Sequence, residues 1–428
     1  MDPLLVIPTY ISQHRISRRT EALSPFDHTT ALTQEGELKR CLTSLCGVAH
    51  VSRIMVVVSC DAAIEDQAKE KVAHIFQQFP SLPLFMVGPS EARVLVGHLS
   101  QQLDKNFDGL IGVQGYAALR NLSLIVAHLL RFDSVVFLDD DMVVQDPHFM
   151  ENAMYGLGKL TRKGVPILAK TGSFLDPKSS RKARDSNEVW NYFWRLPRAF
   201  NQWLTRAQRG PRLQRSHFVC GGCMALHKEA FSRVAFDPWI QRGEDLDYML
   251  NLRMYGSEMW YDKAWLVHHR PPVQRNEGLR FYHDVFRWFY EYRKMEYSRT
   301  QIDLLQIKPA SLNPYPGPFL EPGVIRRATL TASLRLLFCK DKPGYRKALR
   351  ASRSEARVYA QENCDKYFGF QYMWPSVMEF VENNADLRDL LVHMVRSQQH
   401  AENLDTTERS YIDPGATGEI RLSLPDNE

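Results

Sequence analysis

The chain has 428 residues, 44% of them hydrophobic and 24% charged, with a formal net charge of +5. Those proportions are ordinary for a soluble globular protein, and the length suffices for one large α/β domain with an appendage. The mild basic excess suits anionic ligands such as nucleotides but is far too small to argue for nucleic acid. No apolar stretch approaches the roughly 18–20 residues that span a membrane.

Leu4-Leu5-Val6-Ile7 is a short apolar run closed by Pro8-Thr9-Tyr10. It reads as a first strand that begins almost at Met1, leaving no room for a signal peptide. Leu38, Cys41, Leu42 and Leu45 then recur at helical spacing, and Ile54–Val58 reads as a second strand ending in Ser59-Cys60-Asp61. A helix over about Ile64–Phe79 and a strand at Leu84–Val87 follow. Val135-Val136-Phe137-Leu138 reads as a buried strand that runs straight into Asp139-Asp140-Asp141. Strands alternating with helices imply a parallel sheet, whose ligands bind beyond the strands' carboxyl ends. Tyr10, Asp61 and the three aspartates all sit at such ends. On an extended backbone Asp139 and Asp141 share a face and Asp140 takes the other. Carboxylates aimed together repel unless a cation lies between them, and hard oxygen ligands suit Mg²⁺ or Mn²⁺ shared with a substrate's phosphate.

Cys220-Gly221-Gly222-Cys223 has no second Cys or His pair at zinc spacing, so its cysteines read as small buried hydrophobes. Its glycines mark a place where backbone approaches a ligand closely. Gly243-Glu244-Asp245-Leu246-Asp247 opens an amphipathic helix marked by Leu246, Met249, Leu250, Arg253 and Met254 and stopped by Gly256. Acids in a first turn ordinarily complement the helix dipole; an ionised one can also take a proton from an attacking hydroxyl. Asp247, two residues further on, faces away from Asp245. Trp260–Val267 reads as another strand, ending in His268-His269-Arg270. One of these histidines is a candidate metal ligand, with His268 preferred, and Arg270 is a candidate diphosphate contact.

Taken in order, these motifs resemble the GT-A glycosyltransferases, the family 2 group in particular, over roughly Leu4 to Arg270. Pro8-Thr9-Tyr10 matches the family's first strand exit and Asp61 the aspartate that holds the nucleotide base. Gly115-Tyr116-Ala117-Ala118-Leu119-Arg120-Asn121 matches its Gly-x-x-x-Ala-Arg-Asn segment, with Leu119 replacing the alanine, and Asp139-Asp140-Asp141 its Asp-x-Asp motif. The resemblance implies a metal-dependent transferase using a UDP- or GDP-sugar donor and a carbohydrate or small hydroxylated acceptor. Pro8, Tyr10, Asp61, Arg120, Asp139, Asp140, Gly221, Gly222 and Arg270 would bind the nucleotide sugar. Asp139, Asp141 and His268 would hold the metal. Asp245 would be the base of an inverting reaction, and Glu244 would bind an acceptor hydroxyl. A retaining enzyme acting on a small anion such as glycerate or phosphoglycerate is the alternative, and a catalytically silent nucleotide-sugar-binding protein a second one. Seven cysteines without secretory context point to the cytoplasm.

On this reading residues 1–275 form the GT-A domain, residues 276–399 a helical appendage without chemistry of its own, and residues 400–428 a disordered tail. Two insertions stand out within the first part. Residues 11–35 carry Arg15, Arg18, Arg19, Asp27 and His28 and suit a binding loop. Residues 173–216 combine basic side chains with Trp190, Trp194, Phe200 and Trp203 and suit either the acceptor side or a helical layer with a basic rim. Aromatic-rich Leu279–Arg299 reads as a helix packed on the catalytic domain, peripheral membrane contact being the lesser reading. Residues 308–323 read as a proline-rich linker.

Overall fold

β1 (Pro3–Ser12) alternates so strictly that its side chains divide between two cores: Leu4 and Val6 enter one, Leu5 and Ile7 the other. β3 (Arg53–Ser59) and β5 (Ser134–Phe137) divide likewise, with Met55, Val57 and Val135 on the first face and Ile54, Val56 and Val136 on the second. A sheet apolar on both faces must be covered on both, which is the physical basis of a layered α/β architecture. The computed structural model describes residues 1–14, 29–271 and 276–396. Arg15, Arg18, Arg19, Asp27 and His28, and the expected tail at 400–428, lie outside the described residues.

The remaining strands are β2 (Thr30–Ala31), β4 (Leu84–Val87), β6 (Met142–Val143), β7 (Ala169–Leu175), β8 (Leu213–Arg215), β9 (Met224–His227) and β10 (Met259–His269). The sheet runs β4-β3-β1-β5-β9-β7-β10-β6, with β2 on β1 and β8 on β10. β4, β3, β1 and β5 are parallel; β9 pairs antiparallel with both β5 and β7, and β10 is parallel to β7. The carboxyl ends of β1, β3, β5, β7 and β10 therefore share one edge, and the amino end of β9 joins them there. Every motif singled out in the sequence lies along that edge or at a helix start facing it.

Helices occupy both faces. The Leu38–Leu45 helix buries Leu38, Cys41, Leu42 and Leu45, the predicted stripe. The Tyr116–Leu129 helix is buried from Ala117 through Leu129, because the sheet lies on one side and the carboxy-terminal helices on the other. Those helices, Gly323–Phe338, Lys342–Arg350, Ala356–Asn363, Lys366–Asn383 and 385–396, share one apolar core with the first face of the sheet. The proline-rich segment is part of that core rather than a linker. Leu312, Tyr315, Phe319 and Leu320 are buried, and the Phe319 ring packs on Trp288 and Trp194. Among the described residues no helix is long and apolar enough to cross a membrane. The Glu277–Ser298 helix is buried along most of its length, which leaves it no apolar face for a lipid surface.

Candidate active site

β5 ends at Phe137, and the Met142 N–H donates to the Asp139 carbonyl at 3.0 Å, so the three aspartates form a turn. Strand alternation therefore does not sort them, and all three line one cleft of ≈ 400 Å³. Asp140 is buried and accepts a hydrogen bond from Thr9 Oγ1 at 2.8 Å. Asp141 Oδ2 lies 2.9 Å from His269 Nε2. Asp139 faces the Arg120 guanidinium at 3.7 Å. Burial pushes the Asp139 carboxyl up to about 7; Arg120 opposes that rise, while Asp141, Glu244 and Asp140 add to it. Crowded acids of this kind are relieved by a cation. Carboxylate oxygens with one imidazole suit Mn²⁺ or Mg²⁺, so the donor set fits. Among the described residues no group of three or more His, Cys, Asp or Glu forms a ready metal cage, so substrate oxygens would have to complete the shell.

His269, not the expected His268, meets Asp141. The cause is a bulge in β10: from Tyr261 to Leu266 it advances five residues while β7 advances only from Thr171 to Ser173. The odd excess reverses the alternation, so Met259 and Tyr261 face the first core whereas Trp265 and Val267 face the second. His269 follows Val267 on that second phase and packs edge-on against Phe174 at 5.5 Å. His268 points the other way and is buried, with its Nδ1 lacking a partner.

Gly221 and Gly222 form a shelf between the two acidic groups. A Cβ at Gly222 would stand 2.6 Å from Asp139 Oδ2, and one at Gly221 2.6 Å from an Arg120 terminal nitrogen. The flanking Cys220 and Cys223 are buried and free. Arg120 reaches across: its Nε donates to Glu244 Oε1 at 3.0 Å and a terminal N–H to the Gly221 carbonyl at 3.3 Å. Its guanidinium lies over the Phe137 ring at 4.7 Å. Arg120 thus clamps the aspartate turn, the shelf and the Glu244–Met254 helix together.

That helix starts at Gly243, whose φ of +81° suits glycine. Glu244 is buried at the cleft lining and pairs through Oε1 with Arg120, which holds the helix start. Burial and neighbouring Asp245 raise its carboxyl, with Arg120 opposing. Asp245 is the accessible acid, its side chain 23% exposed against 9% for Glu244. Its Oδ1 accepts from the Leu246 N–H at 2.7 Å and stands 3.9 Å from Arg287.

Tyr10 also lines the cleft, edge-on to Tyr116 at 5.6 Å. Pro8 is buried within β1 and does not line it. Arg270 turns aside: its guanidinium donates to the Pro177 carbonyl at 3.2 Å, and only its backbone N–H reaches Asp141, at the carbonyl. Asp61 is exposed at the exit of β3 and lines neither cavity, although Cys60 and Ala62 border a second one of ≈ 710 Å³. From residues 173–216 only Phe174 reaches the cleft; Trp194, Phe200 and Trp203 are buried in the first core. That insertion is the helical layer, built on the Leu196–Arg209 helix.

No family model and no curated protein matches the chain. Solved structures do. Mannosyltransferase PcManGT from Pyrobaculum calidifontis in complex with GDP-Man and Mn²⁺ is similar over 89% of this chain and 84% of that one, at 13% identity and a TM-score of 0.42. GalNAc-T7 with UDP, GalNAc and Mn²⁺ is similar over 71% of this chain and 52% of that one, at 13% identity and a TM-score of 0.35. Glucosyl-3-phosphoglycerate synthase from Mycobacterium tuberculosis, with Mn²⁺ and UDP-Glc, is similar over 64% of this chain and 72% of that one, at 14% identity and a TM-score of 0.31. Likenesses this distant assign neither a substrate nor the role of any residue. The fold rests on the sheet order and the site on its own geometry.

Several residues at the site escaped sequence reasoning. Buried Thr9 holds Asp140 from behind the cleft, and Arg242, Arg280, His283 and Arg287 line the cleft together with the aspartates. The spacing of 280, 283 and 287 was a readable signal, since three- and four-residue steps place side chains on one helical face. Deeper along that helix Lys294 bridges Asp237 and Asp247, each at 2.6 Å, and all three are buried. Tyr290 and Asn251 donate to the same carboxylates at 2.7 Å. Asp247 therefore faces inward, away from the cleft, and ties the Glu244 helix to its neighbour. Lys294→Met should destabilise the protein by about 3–5 kcal/mol, because it strands two buried carboxylates. Urea unfolding measures this, and adding Asp237→Asn and Asp247→Asn should recover part of the loss. Unchanged stability in Lys294→Met would remove the bridge as a fold determinant.

Proposed function

We propose that the protein is a metal-dependent glycosyltransferase that moves a sugar from a nucleoside-diphosphate sugar to an acceptor hydroxyl with inversion. One observation carries this reading: a single cleft brings Asp139–Asp141 with His269 to one wall and Asp245 to another, separated by the Gly221-Gly222 shelf. A divalent cation held by Asp139, Asp141 and His269 would neutralise charge gathering on the departing diphosphate. Asp245 takes the proton from the acceptor hydroxyl as that oxygen attacks the anomeric carbon. Arg120 and Glu244 keep the helix start, and hence Asp245, fixed against the shelf. The glycines let the donor sugar lie close to the backbone. Tyr10 lies beside the nucleotide, and the base extends towards the exit of β3, where Asp61 contacts it. All seven cysteines are free, which fits a reducing compartment such as the cytoplasm.

The test is thermal stabilisation by uridine and guanosine diphosphate sugars with and without Mn²⁺. A metal-dependent upward shift with one of these donors is expected; none with any would overturn the reading. Within it, Asp61→Ala should weaken nucleotide affinity by about 1–3 kcal/mol, the scale of a hydrogen bond involving a charged group. Acceptor affinity should change far less. Nucleotide titrations that overlay those of the wild type would move the base elsewhere.

A further inference from the structure

The Gly323–Phe338 helix is turned inside out. Leu330, Leu334, Leu337 and Phe338 recur at the spacing of a helical stripe, which a globular protein ordinarily faces to its core. Here the core takes the smaller side chains of Val324, Ala328, Thr331 and Ala332 instead. Leu330 and Leu334 are partly exposed, and Leu337 and Phe338 are each more than half exposed. The Val189–Asn191 turn extends this surface. Trp190 stacks on Phe338 at 6.0 Å, and Arg335 fixes the pair by donating twice to Asn191 Oδ1, at 3.0 and 2.7 Å. Val189 and Tyr192, both more than half exposed, stand on either side of Trp190 in the chain. Single exposed apolar side chains are ordinary, but a contiguous group marks an interaction surface.

The charge around this group is largely of one sign. From Gly323 to Arg350 the chain has eight basic residues and one acid, Asp341, which accepts from the Gly344 and Gly278 N–H groups at 3.1 and 2.9 Å. From Val189 to Gly210 it has four arginines and no acid; Glu188, just before Val189, is the exposed exception. Arg195 lies over the Tyr192 ring at 4.9 Å, and Lys342 donates to the Leu336 and Leu337 carbonyls at 2.6 Å. Positive charge therefore reaches the edge of the apolar surface itself. A second copy of this chain would set one basic surface against another, and a nucleic acid would leave the exposed leucine and phenylalanine without partners. An anionic bilayer answers both features, because apolar side chains enter its headgroup boundary while basic ones meet its charge. We propose that this face docks the protein on an anionic lipid surface, with Trp190, Leu337 and Phe338 entering the headgroup layer. Attraction to a charged surface acts through net charge, so the contacts the basic side chains make within the protein do not oppose it. The face is joined to the candidate active site: Gly278, bonded to Asp341, lies between Asn276 and Leu279, which line the cleft. Docking would hold that side of the cleft close to the headgroups. It needs neither metal nor donor, so it stands or falls apart from the glycosyltransferase reading.

Full-length protein is cosedimented with vesicles of phosphatidylcholine alone and of phosphatidylcholine and phosphatidylserine in a two-to-one ratio. It should bind the mixed vesicles, less as salt rises, and bind the neutral ones about tenfold more weakly or not at all. Leu337→Gln combined with Phe338→Gln should weaken binding to the mixed vesicles by about tenfold or more, the scale of apolar area returned to water. Both side chains are exposed, so urea unfolding of this variant should overlay that of the wild type. Tyr372→Ser removes a still more exposed ring from the Lys366–Asn383 helix and should leave vesicle binding within about twofold. Equal binding to neutral vesicles, binding that the double substitution leaves unchanged, or no binding to either composition would overturn the proposal. So would a concentration-dependent dimer that the double substitution dissociates in the absence of vesicles, since it would assign the face to a second copy.

Discussion

Asp245→Asn should lower turnover by about 10²–10⁴-fold, the usual contribution of a general base, while donor affinity stays close to wild type. The substitution keeps the side chain's size and its acceptor oxygen for the Leu246 N–H, and removes the charge. The competing account is that Asp245 merely complements the helix dipole, which at an exposed helix start is worth only about 0.3–1 kcal/mol. The geometry already narrows that account. The cap position belongs to Gly243, so Asp245 is not the residue that closes the helix start. A loss of stability without loss of turnover would leave Asp245 a structural acid. Product stereochemistry supplies the independent arm, because a base-assisted direct attack inverts the anomeric centre. A product retaining the donor's configuration would set Asp245 aside, whatever the size of the rate effect.

The parts of this fold legible in the sequence are those where a local period dictates burial. Leu38, Cys41, Leu42 and Leu45 turn one helical stripe inward, and Leu84–Val87 forms the strand expected from its apolar run. What stayed illegible depends on partners distant in sequence. β9 is short and runs against its neighbours, and nothing in Met224–His227 announces its direction. The bulge in β10 is invisible until β7 is placed beside it, yet it decides between His268 and His269. The proline-rich segment reads as a linker because prolines interrupt any period. It is core because Tyr315 packs on Phe200 of the Leu196–Arg209 helix and Phe319 on Trp288 of the Glu277–Ser298 helix, with Leu312 buried in the same core. For the same reason Arg280 and Arg287 sit in a stretch that reads as packing. Its face was legible, but what the face looks onto was not. Glu244 and Arg120 show the converse. Each falls where its motif implies, and only their 3.0 Å contact reveals that they hold each other.

Asp141→Ala should abolish the stabilisation that Mn²⁺ and a nucleoside diphosphate give together, and with it activity. The metal-free protein should unfold near the wild-type temperature. Two opposing effects set that baseline. The substitution removes the partner of His269 Nε2, which costs about 1 kcal/mol for a typical hydrogen bond. It also removes one of the charges that raise the Asp139 carboxyl, and relief of that repulsion favours the fold once Asp139 is ionised. The two contributions have opposite signs, so a large drop in metal-free stability is not expected. EDTA on the wild type should reproduce the loss of nucleotide stabilisation, and added Mn²⁺ or Mg²⁺ should restore it there but not in Asp141→Ala. The histidines give a sharper comparison. His269→Ala should weaken the Mn²⁺ response, whereas His268→Ala, whose ring is buried on the opposite face of β10, should act on stability alone. Full activity in EDTA, or a Mn²⁺ response that survives Asp141→Ala, would end the metal-dependent reading and leave the aspartate turn as a buried hydrogen-bonding corner.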